Sequence, residues 1–102
     1  MKVRFLKPAQ SEIDDAFVWY ETQSHGLGTQ FLDDFDRAVR RISAYPLASS
    51  EIEDGLRRCL LSRFPYGIIY GIDSEIIIVV AVAHLHREPR YWIDRLFKKE
   101  TK

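Results

Sequence analysis

Cysteine is almost absent from this chain of 102 residues: Cys59 stands alone, so no internal disulfide can form. A lone thiol suits a reducing compartment, and a cytoplasmic location is the expectation. No secretory leader is expected either. Met1-Lys2-Val3-Arg4-Phe5-Leu6 is too short and too charged for an apolar leader core, and Pro8 follows at once. No long hydrophobic run exists either. The longest, Ile76 to Ala83, has the length of a strand, well short of the roughly 20 apolar residues that cross a bilayer. No membrane partner is expected. There is no internal repeat, no low-complexity segment and no visible domain boundary, so residues 1–102 read as one domain.

Net charge is the last thing lacking, since 15 Lys/Arg balance 15 Asp/Glu. The balance hides an asymmetry. Residues 1–54 hold six basic against ten acidic side chains, and residues 55–102 hold nine against five. Such a split suggests a basic working face for an acidic protein or a nucleic acid. It equally fits acidic helices compensated elsewhere in the fold. What the chain does have is apolar material: 46% hydrophobic and 13% aromatic residues, enough for a packed core and against disorder.

The first half reads as a strand and two helices. Val3 and Phe5 alternate with Arg4 in a short strand over Lys2–Leu6. A helix then starts at Pro8 or at a Ser11 cap and runs to about Gln23, with Ile13, Ala16, Phe17 and Tyr20 on one stripe. Gly26 and Gly28 mark the turn. In the second helix Phe31, Phe35, Ala38, Ile42 and Tyr45 form an apolar stripe read as core. Asp33, Asp34, Asp36, Arg37, Arg40 and Arg41 lie off it, and Pro46 ends the helix.

The period changes in the second half. Leu47 to Gly55 reads as a polar connector. Arg57–Arg63 is a strand, Tyr66–Ile72 a second, and Asp73-Ser74 a turn. Glu75–Leu85 is a third strand, whose unbroken apolar run implies burial on both faces and a central position. Arg90 to Lys99 looks like a final short helix. The order is β-α-α-β-β-β-α, an α+β fold in which a small antiparallel sheet packs on a helical hairpin.

Those residues carry a family resemblance. Trp19-Tyr20-Glu21, Gly26-Leu27-Gly28, Phe31-Leu32, Ile42 and Pro46 are similar to the helical hairpin of RelE/ParE-like toxins. Arg58, Leu61, Arg63-Phe64-Pro65-Tyr66, Tyr70, the run through Val82, His84, Arg87, Pro89, Tyr91-Trp92 and Arg95 resemble the meander and tail of that family. The resemblance spans nearly the whole chain. It implies a toxin held inactive by a cognate antitoxin, alone as a homodimer or within a hetero-oligomer. It also implies one of two activities: cleavage of mRNA on the ribosome, or inhibition of DNA gyrase.

Metal-free RNA cleavage needs a base, an acid and cations for the phosphate. Here Arg58, His86 and Arg87 are the candidates. Yet Gly67 and Leu60 stand where nucleases of this kind carry basic side chains. The ParE-like reading is therefore preferred, with DNA gyrase as target and the ribosome with mRNA as the alternative. A non-toxic binding module is a third possibility. Target contact is assigned to His84, His86, Arg87, Arg90, Tyr91, Trp92 and Arg95. A secondary cluster is Arg57, Arg58 and Arg63, with Arg57 and Arg63 on one face of the strand and Arg58 on the other. The histidines could instead hydrogen-bond at the sheet rim, the arginines could simply guard an edge strand, and Trp92 could pack the tail onto the sheet. His84-x-His86 offers two metal ligands with no third in a suitable spacing, so neither metal nor cofactor is expected.

Overall fold

The computed structural model describes residues 1–53 and 55–95. The elements are β1 (Lys2–Phe5), α1 (Lys7–Gln23), α2 (Leu27–Ala44), β2 (Ser50–Glu53), β3 (Leu56–Leu60), β4 (Tyr66–Asp73) and β5 (Ile76–His84). The sheet order is β1-β5-β4-β3-β2. β2 to β5 form an antiparallel meander, and β1 joins the far edge of β5 in parallel, which makes the sheet mixed. The apolar strand β5 is interior, between β1 and β4, as its two-sided burial requires, while β4 takes the centre of the sheet.

Two local readings change. The expected connector Leu47–Gly55 contains β2, a polar edge strand whose sequence Ser-Glu-Ile-Glu shows no strong alternation. The turn before β5 falls on Ser74-Glu75, one residue later than expected. Both residues have positive φ (50° and 69°), as the tight hairpin turn that matches strand twist demands. The expected final helix is a run of turns from Arg90 with a helical step only at Asp94-Arg95; the rest of that segment lies outside the described residues.

The hairpin is set by one carboxylate. Glu21, near the end of α1, accepts the Gly26 and Gly28 backbone N–H groups at 3.0 Å each. It thereby caps the start of α2, whose first N–H groups have no partner within the helix. Those bonds pull the Glu21 carboxyl below the usual range. Gly28 is required because the helices touch here: a Cβ would lie 2.8 Å from Phe17 Cδ1 and from the Phe17 carbonyl oxygen. α1 begins at Lys7, so Ser11 lies inside the helix and does not cap it.

The sheet buries both faces. On the helix side, Ile13, Phe31, Ile42, Ile68, Ile77 and Val79 form the main core, with Val3 and Phe5 packed against it. Each such side chain contributes about 1.5–3 kcal/mol by leaving water. Tyr70 is fully buried there, and its hydroxyl donates to the Pro46 carbonyl at 2.6 Å. Tyr45, expected in the α2 stripe, is 70% exposed instead. The helix stops at Ala44, and the backbone of Tyr45 (φ −138°, ψ 70°) turns its ring away.

The opposite face is covered by the tail that follows β5. Trp92 packs on Leu56, Ile69, Val80 and Ala81. A bulge makes this possible. Ile69 pairs with Ala81 and Tyr70 with Val79, so Val80 is an extra residue. Val80 and Ala81 then both belong to the tail-side cluster, where simple alternation would place only one.

Candidate functional site

Two carboxylates that the sequence leaves unremarkable organise the surroundings of the site. Asp34 lies off the apolar stripe of α2, yet it is fully buried. Its oxygens accept the backbone N–H groups of Ser62 (3.2 Å), Arg63 (2.8 Å) and Phe64 (3.1 Å). Burial would raise its pKa, but these three bonds and Arg37 outweigh that and lower it. Asp34 thus fixes the β3–β4 loop. The loop begins after Leu60, so the strand does not continue to Arg63. The expected sharing of one strand face by Arg57 and Arg63 fails for this reason.

Glu12 does comparable work at the tail. One oxygen accepts the Val82 N–H (2.9 Å) and Arg95 Nη1 (3.0 Å); the other accepts the Tyr91 hydroxyl (2.6 Å) and Arg95 Nη2 (2.8 Å). Arg95 Nη1 also donates to the Val80 carbonyl at 2.9 Å. β1 pairs with β5 only as far as Val79. Glu12 and Arg95 therefore satisfy main-chain groups on β5 where its neighbouring strand has run out. Burial pushes the Glu12 pKa up, but its bonds to Arg95, Tyr91 and Val82 dominate and lower it. Burial first, then the bond to Glu12, pushes the Tyr91 hydroxyl well above its ordinary range.

These anchors decide what the tail offers. Trp92 is 4% exposed, so its ring belongs to the packing and little of it is left for a target. Tyr91 and Arg95 are tied to Glu12. Arg90, at φ 62°, pairs with Glu53 of β2 at 2.7 Å. Arg87 is exposed and lays its guanidinium 3.9 Å above the centre of the Tyr91 ring. His84 is half-buried against Tyr66, with ring centres 5.0 Å apart. Its Nδ1 accepts the His86 backbone N–H at 3.1 Å, and the two imidazole centres stand 5.2 Å apart. The strand ends at His84, so it is the turn that brings the two rings together. Burial, with Tyr20 and Glu12 nearby, pushes the Tyr66 hydroxyl up to about 12.

Of the secondary cluster, Arg57 donates to the Leu47 and Ser49 carbonyls at 3.2 and 2.7 Å, pinning the segment before β2. Arg63 is exposed on the loop held by Asp34. Arg58 is exposed on the tail side and lines a cleft of about 290 Å³ with Ile69, Ala83, His84, Arg87 and Arg90. A second cleft of about 250 Å³ lies on the α1 side, where Trp19, Asp15 and Tyr66 face His84 and Arg87. The two histidine-loop residues His84 and Arg87 border both. Sequence reading missed Trp19, which is 59% exposed on α1. Its place off the α1 stripe was the available signal. Among the described residues there is no group of three or more His, Cys, Asp or Glu able to hold a metal, and no helix is long and apolar enough to cross a membrane.

A leading strand, an αα-hairpin on one face and a meander whose tail returns over the other define a small α+β fold. Residues 3–89 match the family model for the ParE toxin of the type II toxin–antitoxin system, parDE. The chain belongs to this ParE toxin family. A solved structure described as the chromosomal ParDE toxin–antitoxin system from P. aeruginosa is similar to it, with a TM-score of 0.72 at 18% identity. The match covers 84% of this chain and 97% of that one. At that identity the likeness is one of fold. No curated protein matches the chain.

Proposed function

We propose that this type II toxin arrests growth by binding a protein target, DNA gyrase, and that a cognate antitoxin neutralises it. Membership of the ParE family is the observation that carries the reading. The disposition of the cations supports it. Three of the assigned site cations, Arg57, Arg90 and Arg95, are engaged in internal pairs, which lowers the charge that those residues offer to a dense RNA surface. The surface that the site then offers is Arg58, His86 and Arg87, with His84 half-buried beside them. The antitoxin would lay an amphipathic segment over exposed apolar side chains, for which Val18, Trp19 and Leu47 are available.

The mRNA-cleaving reading assigns Arg58, His86 and Arg87. The tail-side cleft holds Arg58 and Arg87 but has His84 at its wall instead of His86. A reconstituted comparison separates the readings. Purified chain is added to gyrase with relaxed plasmid, and in parallel to translating ribosomes. Inhibited supercoiling with intact mRNA is expected. Cut mRNA with normal supercoiling would reverse the assignment, and normal growth on expression without a partner would point to a non-toxic binding module.

A further inference from the structure

The tail does not cover its face of the sheet along the full length. Trp92 seals Leu56, Ile69, Val80 and Ala81. Beyond them the same face carries Gly67 and Ala83, which pair directly across β4 and β5. Ala83 lies at the floor of the 290 Å³ cleft, and the Arg58 stem lies against Gly67 beside it.

Arg58 enters from the neighbouring strand. It pairs with Ile69 and lies diagonal to Gly67. A Cβ at Gly67 would come within 3.0 Å of Arg58 Cγ and 3.1 Å of Arg58 Cδ. The bare Cα of Gly67 is thus what lets the arginine stem lie flat across β4 toward Ala83. Among the described residues, Arg58 takes part in none of the ion pairs, in contrast to Arg57, Arg90 and Arg95.

We propose that this cleft receives an aspartate or glutamate side chain of a protein partner, with Arg58 as the anion-binding residue and Gly67 as its positioning residue. The proposal rests on the reading of the chain as a protein-binding toxin and names the chemistry of the contact. A guanidinium held over an apolar floor matches a carboxylate through paired N–H donors. Ile52 and Pro89 suit an apolar side chain next to that carboxylate in the partner. Glu53 and Glu88 also line the cleft. They leave room for a single negative charge but repel the run of phosphates that a nucleic acid would bring.

Titration of the isotope-labelled full chain, followed by NMR at the Arg58 Nε–H and the Trp92 indole N–H, tests this. The probes are acetyl-Leu-Glu-Leu-amide, its glutamine counterpart, inorganic phosphate and the dinucleotide ApA. The glutamate peptide is expected to shift both signals saturably. The glutamine peptide is expected to bind about tenfold more weakly, the size of one charge-assisted hydrogen bond. Arg58→Gln should abolish the shift at Trp92. Gly67→Val should weaken binding while the remaining spectrum stays that of the folded chain, since Gly67 has no positive φ. Equal binding of the two peptides, binding that survives Arg58→Gln, no shift with any probe, or preferential binding of phosphate or ApA would overturn the proposal. Gyrase is absent from this titration, so its failure leaves the supercoiling result standing. Conversely, a gyrase-independent toxin whose cleft still took the glutamate peptide would lose only its assigned target.

Discussion

Glu12 and Arg95 lie 83 positions apart in sequence and meet through two hydrogen bonds of 3.0 and 2.8 Å. The pair joins the first turns of α1 to the end of the described tail and closes the open stretch of β5 between them. Replacing Glu12 by Ala strands Arg95, the Tyr91 hydroxyl and the Val82 N–H. A loss of about 2–3 kcal/mol is expected, the usual cost when hydrogen bonds to a charged group are broken in a sheltered place. Urea denaturation checks it. Retained stability in Glu12→Ala would show that the tail is held by Trp92 alone.

Acid should weaken the fold through Glu12 and Asp34. Both carboxyls have folded-state pKa values below their ordinary 4.5 and 3.8. A depressed folded pKa contributes stability that is fully present above the unfolded value. That contribution is lost as pH falls through the folded value. The denaturation midpoint should therefore be level near neutral pH and decline below about 4.5. The Asp34→Asn variant should be less stable at neutral pH and decline less steeply in acid. An equally steep decline in that variant would remove Asp34 from the account.

Asp34→Ala should cost about 3 kcal/mol, because three backbone N–H groups of the β3–β4 loop lose their acceptor in a buried place. Amide hydrogen exchange reads this directly. The Ser62, Arg63 and Phe64 amides should exchange much faster, while the β5 amides keep their protection relative to global stability. Unchanged exchange at the three loop amides would contradict the assignment.

The two tryptophans should behave oppositely. Trp92→Ala removes a ring packed on the tail side of the sheet and should cost about 3–5 kcal/mol. Trp19→Ala, at an exposed position, should change stability by less than about 0.5 kcal/mol. Calorimetric melting of both variants decides. Similar losses would mean that the tail does not form a second core.

The elements with strong periodicity were legible in the sequence: the α2 stripe through Phe31, Phe35 and Ile42, and the apolar run of β5. Their burial follows from one-dimensional patterns. β2 was not legible, because its polar sequence has no strong alternation; it is held by pairing with β3, and Arg57 pins the segment before it. Asp34 and Glu12 look like ordinary solvent-facing carboxylates on helices. Their partners sit 28 to 83 residues away, and nothing local announces a distant N–H in need of an acceptor. The assigned site was legible as a region and not as a surface. His84, His86 and Arg87 do cluster, whereas Tyr91, Trp92 and Arg95 are taken up by the anchoring of the tail. Gly67 reads in the sequence as the loss of a nuclease arginine. In the fold it is the space that the Arg58 side chain uses.

The most direct measurement of the central claim is calorimetric titration of the purified chain into DNA gyrase, beside the same titration with Arg58→Gln. Saturable binding, weakened about tenfold or more by loss of a charge-assisted contact, is the result predicted. No binding to gyrase, together with cleavage of mRNA on ribosomes by the same preparation, would contradict it.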